Sequence, residues 1–143
     1  VYLHHRTDRP VKSAVSGLPE FAVPAGLPSS VPVVLDARVV TGSGGGPEKT
    51  ILNSPRFLEP LGYRMVCAYL HPPHDPGFEL IRAKAAQTGA PLVSIPDRGP
   101  WDWRVISRLL QLCKREKVAI WHGHDYKTNA LGLLLKRFWR MRL

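Results

Sequence analysis

Acidic residues are scarce in this chain. Eleven Asp and Glu stand against twenty Lys and Arg, for a formal net charge of +9 over 143 residues. The imbalance is greatest near the C-terminus. Ten of the twenty basic residues lie between Asp102 and Arg142, opposed only by Asp102, Glu116 and Asp125. A basic face of this kind suits phosphorylated ligands or an anionic membrane, and equally an ordinary solvated helix surface. Nucleic acid is not inferred as a partner, because no recognition motif accompanies the charge. Cysteine is nearly absent as well. Cys67 and Cys113 make neither a disulfide framework nor a zinc site, and their apolar neighbours mark them as buried thiols. No apolar run approaches the ~20 residues of a membrane span, and no secretory signal is visible. The expected location is the cytoplasm, with the inner face of the membrane as the surface its charge could address.

Two familiar phosphate-binding signatures are missing too. A P-loop needs glycine directly before Lys-Ser/Thr, and here Glu48 precedes Lys49-Thr50. A dinucleotide fingerprint beginning at Gly42 needs its third glycine where Pro47 stands.

What is present is a strand, a glycine-rich loop and a helix in succession. Val33 to Val40 is a β-branched run bounded by Pro32 and Gly42, the pattern of a strand buried on both faces. Gly42 and Gly44 to Gly46 follow. Pro47 and Glu48 then suit the opening of a helix, since proline needs no N–H partner there and a carboxylate favours the positive helix end. Leu61-Gly62 ends that helix, and Met65 to Leu70 reads as a second strand. The unit implies parallel pairing and an α/β, Rossmann-like sheet with flanking helices. The loop can present unpaired N–H groups to an anion, or be a tight turn with no ligand. Pro55 falls inside the first helix, which should kink or start afresh there.

Residues 1–32, with five prolines and little periodicity, read as an extended or partly disordered lead-in. Within it His4, His5, Arg6 and Arg9 could meet an anion. The first residue is Val rather than Met, which fits a clipped chain, an unusual start codon or a partial gene. Beyond the second strand, His71 and His74 lie in a proline-stiffened loop on the expected ligand side of the sheet. Helices are predicted over Phe78 to Thr88, Trp103 to Lys117 and Lys127 to Leu143, with strands at Pro91 to Ile95 and Val118 to Trp121. Asp125 or Thr128 should cap the last helix. His122 and His124 lie two apart at a strand end and should face the same side. They could ligate zinc, but no third ligand is apparent at a suitable spacing, so no metal is expected. His122 alone reads as a hydrogen-bonded core histidine.

These stretches carry a resemblance. GGPEKTILNSPRFLEPLGYRMVCAYL resembles the start of family 4 glycosyltransferases of the GT-B fold, with Gly45-Gly46-Pro47-Glu48 as the helix-opening loop and Gly62-Tyr63 before the second strand. VAIWHGHDYKTNALGLLLKR is similar to the later segment in which a strand ends in His-x-His before a helix. The resemblance covers about Val33 to Arg142 and implies that 33–143 is a Rossmann-like glycosyltransferase N-terminal domain. It implies retaining transfer of sugar from a nucleotide-sugar to a glycan or lipid-linked acceptor. Gly45, Gly46 and His124 then contact the donor diphosphate and sugar, with His124 as the catalytic candidate. Asp125 and Lys127 are candidates for acceptor contact or helix capping. The nucleotide-sugar is a substrate, and no cofactor or metal is expected. The family's C-terminal donor-binding domain is missing from the sequence. The implied chain is a first half, either truncated or one subunit of a split enzyme, with little activity alone. The alternative is a non-catalytic module of the same fold that docks on a partner or on anionic membrane through Lys136 to Leu143, inserting Phe138 and Trp139.

Overall fold

Val33–Val39 forms the central strand β1, as its β-branched run predicts. The computed structural model describes residues 31–100 and 102–143. The lead-in expected over 1–32, with its His4, His5, Arg6 and Arg9, therefore lies outside the described residues except for Val31 and Pro32. Strands β2 (Arg64–His71) and β4 (Val118–Gly123) flank β1 in parallel, and β3 (Leu92–Pro96) lies parallel outside β2. The order is β3-β2-β1-β4. Parallel neighbours need long crossovers, and helices supply them: α1 (Gly46–Leu58), α2 (Phe78–Thr88) and α3 (Trp103–Glu116), with α4 (Tyr126–Leu135) after β4. This is the predicted α/β, Rossmann-like fold.

The side-chain period of two divides β1 between two cores. Leu35 and Ala37 face α3 and α4, packing with Val66, Ala68, Leu70, Ile95, Leu109 and Trp121. Val40 faces the other way, toward Ile51 and Leu52 of α1 and Phe78 and Ile81 of α2, with Cys67 and Tyr69 of β2 beside them. Full burial of a leucine- or isoleucine-sized side chain is worth about 1.5–3 kcal/mol, so these two layers supply most of what holds the sheet between its helices. Both cysteines are buried and free, as expected. Burial pushes the Cys67 thiol up to about 12 and the Cys113 thiol up to about 11.

Two helix expectations need correcting. α1 does not restart at Pro55; a single helix runs through it. The missing Pro55 N–H would have bonded the Ile51 carbonyl, and that oxygen instead accepts from Ser54 Oγ at 2.8 Å and Cys67 Sγ at 3.6 Å. The last helix, predicted to reach Leu143, ends at Leu135. The tail turns back onto the open edge of β4. There the Trp121 N–H donates to the Arg142 carbonyl and the Arg142 N–H to the Ala119 carbonyl, both at 2.8 Å. Pairing otherwise unsatisfied edge groups favours this course over further helix. It also fixes Trp139, whose Nε1–H donates to the Val118 carbonyl at 2.8 Å and whose ring packs on the core, while Phe138 stays exposed. Trp139 is therefore held against this domain by both its ring and its N–H. Among the described residues no helix is long and apolar enough to cross a membrane.

Candidate functional site

Two charges interrupt the apolar run of β1, and a buried charge requires a partner. Arg38 meets the carboxylate of Glu48 in the first turn of α1. Glu48 is 1% exposed, and its other oxygen accepts the Gly45 N–H. Burial by itself would raise the Glu48 pKa. The Gly45 N–H and the Arg38 guanidinium outweigh that and hold the carboxyl below its ordinary value. The glycine loop is thus clamped to β1 from inside. At Gly44 the backbone has φ +68°, and a Cβ would lie 2.6 Å from the Glu48 side chain, so glycine lets the loop close over the carboxylate. The clamp also sorts the donors. The Gly45 N–H points inward to Glu48 and Pro47 has none, whereas Gly46, the first residue of α1, has an N–H with no helical partner and is exposed.

The second charge, Asp36, is 4% exposed and lies opposite His122 in the β1–β4 register. Its Oδ1 is 2.8 Å from His122 Nδ1 and 3.1 Å from His124 Nε2. The two imidazoles sit 4.2 Å apart, on one side as predicted. Ser54 Oγ of α1 lies 3.2 Å from the other oxygen of Asp36. His124 is fixed through its backbone as well, since its N–H donates to the Ala37 carbonyl at 3.0 Å. His122 is hydrogen-bonded, but its side chain is 60% exposed, which corrects its reading as a core histidine. Asp36 itself escaped the sequence reading. The available signal was a lone carboxylate in the middle of a run expected to be buried on both faces.

Because β1 and β4 are parallel neighbours, the loop after β1 and the histidine after β4 come to the same carboxyl-end rim. Gly45, Gly46 and His124 are therefore brought together on one side of the molecule. Asp125 and Lys127 are both held by contacts within the domain. Asp125 caps α4, its Oδ1 accepting the Thr128 N–H at 2.9 Å, while its Oδ2 accepts the Val39 N–H at 2.7 Å and ties α4 to β1. Lys127 Nζ pairs with Asp97 and donates to the Gly99 carbonyl at 2.8 Å. It still lines a rim hollow of about 580 Å³ with Val39, Thr41, His71 and Arg98. His71 is buried in a structural role, its ring stacked on Phe78 and bonded to Ser94 Oγ at 2.7 Å and the Pro72 carbonyl at 2.9 Å. His74 is exposed with φ +62°.

The architecture is that of an α/β domain, a class of fold in which ligands generally bind at the carboxyl ends of the strands. Among solved structures, a glycosyltransferase from Rickettsia africae ESF-5 is similar over 78% of this chain, with a TM-score of 0.57 and 12% sequence identity. The chain spans 28% of that structure, and at this identity the likeness is one of fold. A predicted subunit of a tRNA methyltransferase from Methanocaldococcus jannaschii is matched over 76% of this chain and 65% of its own, with a TM-score of 0.37 and 12% identity. No protein-family profile matches the chain, and no curated protein matches it significantly.

Proposed function

We propose that this chain is the acceptor-side half of a retaining family 4 glycosyltransferase of GT-B architecture, using a nucleotide-sugar donor and a glycan or lipid-linked acceptor. One observation carries the reading: the glycine loop opening α1 and the His124 imidazole share one rim, joined through β1. Departure of a nucleoside diphosphate develops negative charge. A fixed N–H such as that of Gly46, at the positive end of a helix, stabilises that charge better than water, which must reorient to do so. His124 is oriented before any substrate arrives. With Asp36 accepting from Nε2–H, the neutral ring has Nδ1 left as an acceptor for a sugar hydroxyl, a bond that strengthens as the sugar gains positive charge. The rim hollow containing Thr41, Arg98 and Lys127 is the proposed acceptor side. The opposite wall of the cleft, with the nucleotide site, belongs to a second domain, supplied by a longer form of the chain or by a separate subunit.

The test is sugar transfer and nucleotide-sugar hydrolysis, measured on this chain alone and on the chain joined to a second Rossmann-like domain. The expected outcome is negligible turnover alone and clear turnover when joined. In the joined enzyme His124→Ala should lower kcat by about 100-fold, the scale of one lost transition-state hydrogen bond. Gly46→Ala separates a ligand loop from a plain turn. A Cβ there meets nothing within 4 Å, so the fold should be unchanged; the N–H is kept, but the methyl crowds the approach of a diphosphate to it, so donor KM rises. Robust turnover by the isolated chain, or a Gly46→Ala enzyme with unaltered kinetics, would remove this reading.

A further inference from the structure

We infer that Asp36, His122 and His124 form a binding site for one divalent transition-metal ion of the zinc class. One ligand atom from each of the three lies within 4.8 Å of the others. A carboxylate oxygen with two imidazole nitrogens is a donor set that zinc and neighbouring first-row ions accept, with open positions left for solvent. Bonds of about 2.0–2.2 Å place neighbouring ligands of such an ion roughly 3–3.5 Å apart. Asp36 Oδ1 already stands 2.8 Å and 3.1 Å from the two nitrogens, so two of the three ligand–ligand edges are near ligating length, and rotation of the imidazoles toward each other closes the third.

The frame beneath these groups is firm. Asp36 and His122 are register partners on adjacent strands, and the His124 N–H is held by the Ala37 carbonyl. Ser54 Oγ lies 3.2 Å from the outer oxygen of Asp36, close enough to support it if the hydroxyl turns from the Ile51 carbonyl. The electrostatics agree. A nearly fully buried carboxylate gains from a positive charge beside it, and the exposed His122 side chain leaves the ion a path from solvent. The sequence suggested no third ligand because Asp36 and His122 are 86 residues apart; parallel pairing removes that separation.

This inference does not depend on sugar transfer, although both draw on His124. A metal would take Nε2 and leave Nδ1 carrying the proton, reversing the polarity offered to a sugar hydroxyl, so the metal-loaded state and the sugar-transfer state of His124 exclude one another. It is therefore tested without nucleotide or sugar. The full chain, stripped of metal with EDTA and dialysed, is titrated with Co(II) while visible d–d absorption is followed, and Zn(II) is then added in competition. One equivalent of Co(II) should bind with an intensified band, and one equivalent of Zn(II) should displace it. Asp36→Asn and His122→Ala should each weaken binding by more than about tenfold, at least the loss seen when supporting contacts of metal ligands are removed. The exposed His122 makes the second variant a safe one for folding, checked by circular dichroism without metal. A His4→Ala/His5→Ala variant should bind as the original chain does. Absence of the band, a band that survives both cluster variants, or a band lost with His4 and His5 would overturn the site.

Discussion

Glu48→Gln should lower the unfolding free energy at pH 7 by about 3 kcal/mol, the scale of breaking a largely buried ion pair while keeping its shape. The substitution removes the carboxylate that pairs with Arg38, whose side chain is 22% exposed. It also replaces the anionic acceptor of the Gly45 N–H with a neutral one. The pH dependence follows from the depressed pKa of Glu48 in the folded protein. A carboxyl of this kind binds fewer protons folded than unfolded, so its contribution is complete above its ordinary value of 4.5 and is lost as pH falls through the folded value. Urea unfolding of both proteins at neutral pH and in acid below that value checks this. The gap between them should be wide at neutral pH and should close in acid. Equal stabilities at neutral pH would mean that Glu48 does not clamp the loop.

The second large effect is expected at Gly77, ahead of α2. A Cβ there would fall 2.4 Å from both the carbonyl carbon and the Cα of Gly42, and 2.7 Å from the Ser43 nitrogen. These are backbone atoms, so no rotamer change relieves the contact. The two loops must move apart. They are also joined by Asp75, which accepts the N–H groups of Gly42 at 2.6 Å and Gly77 at 2.9 Å. Gly77→Ala should therefore cost about 1–3 kcal/mol, the usual penalty for inserting a methyl into a closed contact. Donor KM in the joined enzyme should rise with it, because the glycine loop is displaced. Gly46→Ala, which meets open space, should leave stability untouched. A Gly77→Ala protein melting at the original temperature would show that the loops do not touch as described.

Elements and fold were legible because their signals are local. The β-branched run of β1, the glycine loop before Pro47 and Glu48, and the regular apolar spacing of α3 each state their conformation within a few residues. The end of α4 was not legible. What stops it is the vacant edge of β4, which the tail reaches only once the sheet exists. The passage of α1 through Pro55 was hidden for a similar reason, since Cys67 on β2 helps satisfy the carbonyl that Pro55 cannot. At the site, the pairing of His122 with His124 followed from strand periodicity. Their common anchor did not, because Asp36 lies a strand away and enters only through the β1–β4 register. Asp125 caps α4, one of the two roles its place before a helix suggested, whereas the turn of Lys127 toward Asp97 had no local signal.

Nitrogen-15 NMR of this chain joined to a second Rossmann-like domain, titrated with a panel of nucleotide-sugars, addresses the shared rim most directly. Saturable, concerted shifts of the Gly46 amide and the His124 ring by one nucleotide-sugar are the result expected, with both responses lost in Gly46→Ala. Shifts confined to the arginine-rich tail, or none at the loop and the imidazole with any donor, would contradict the account.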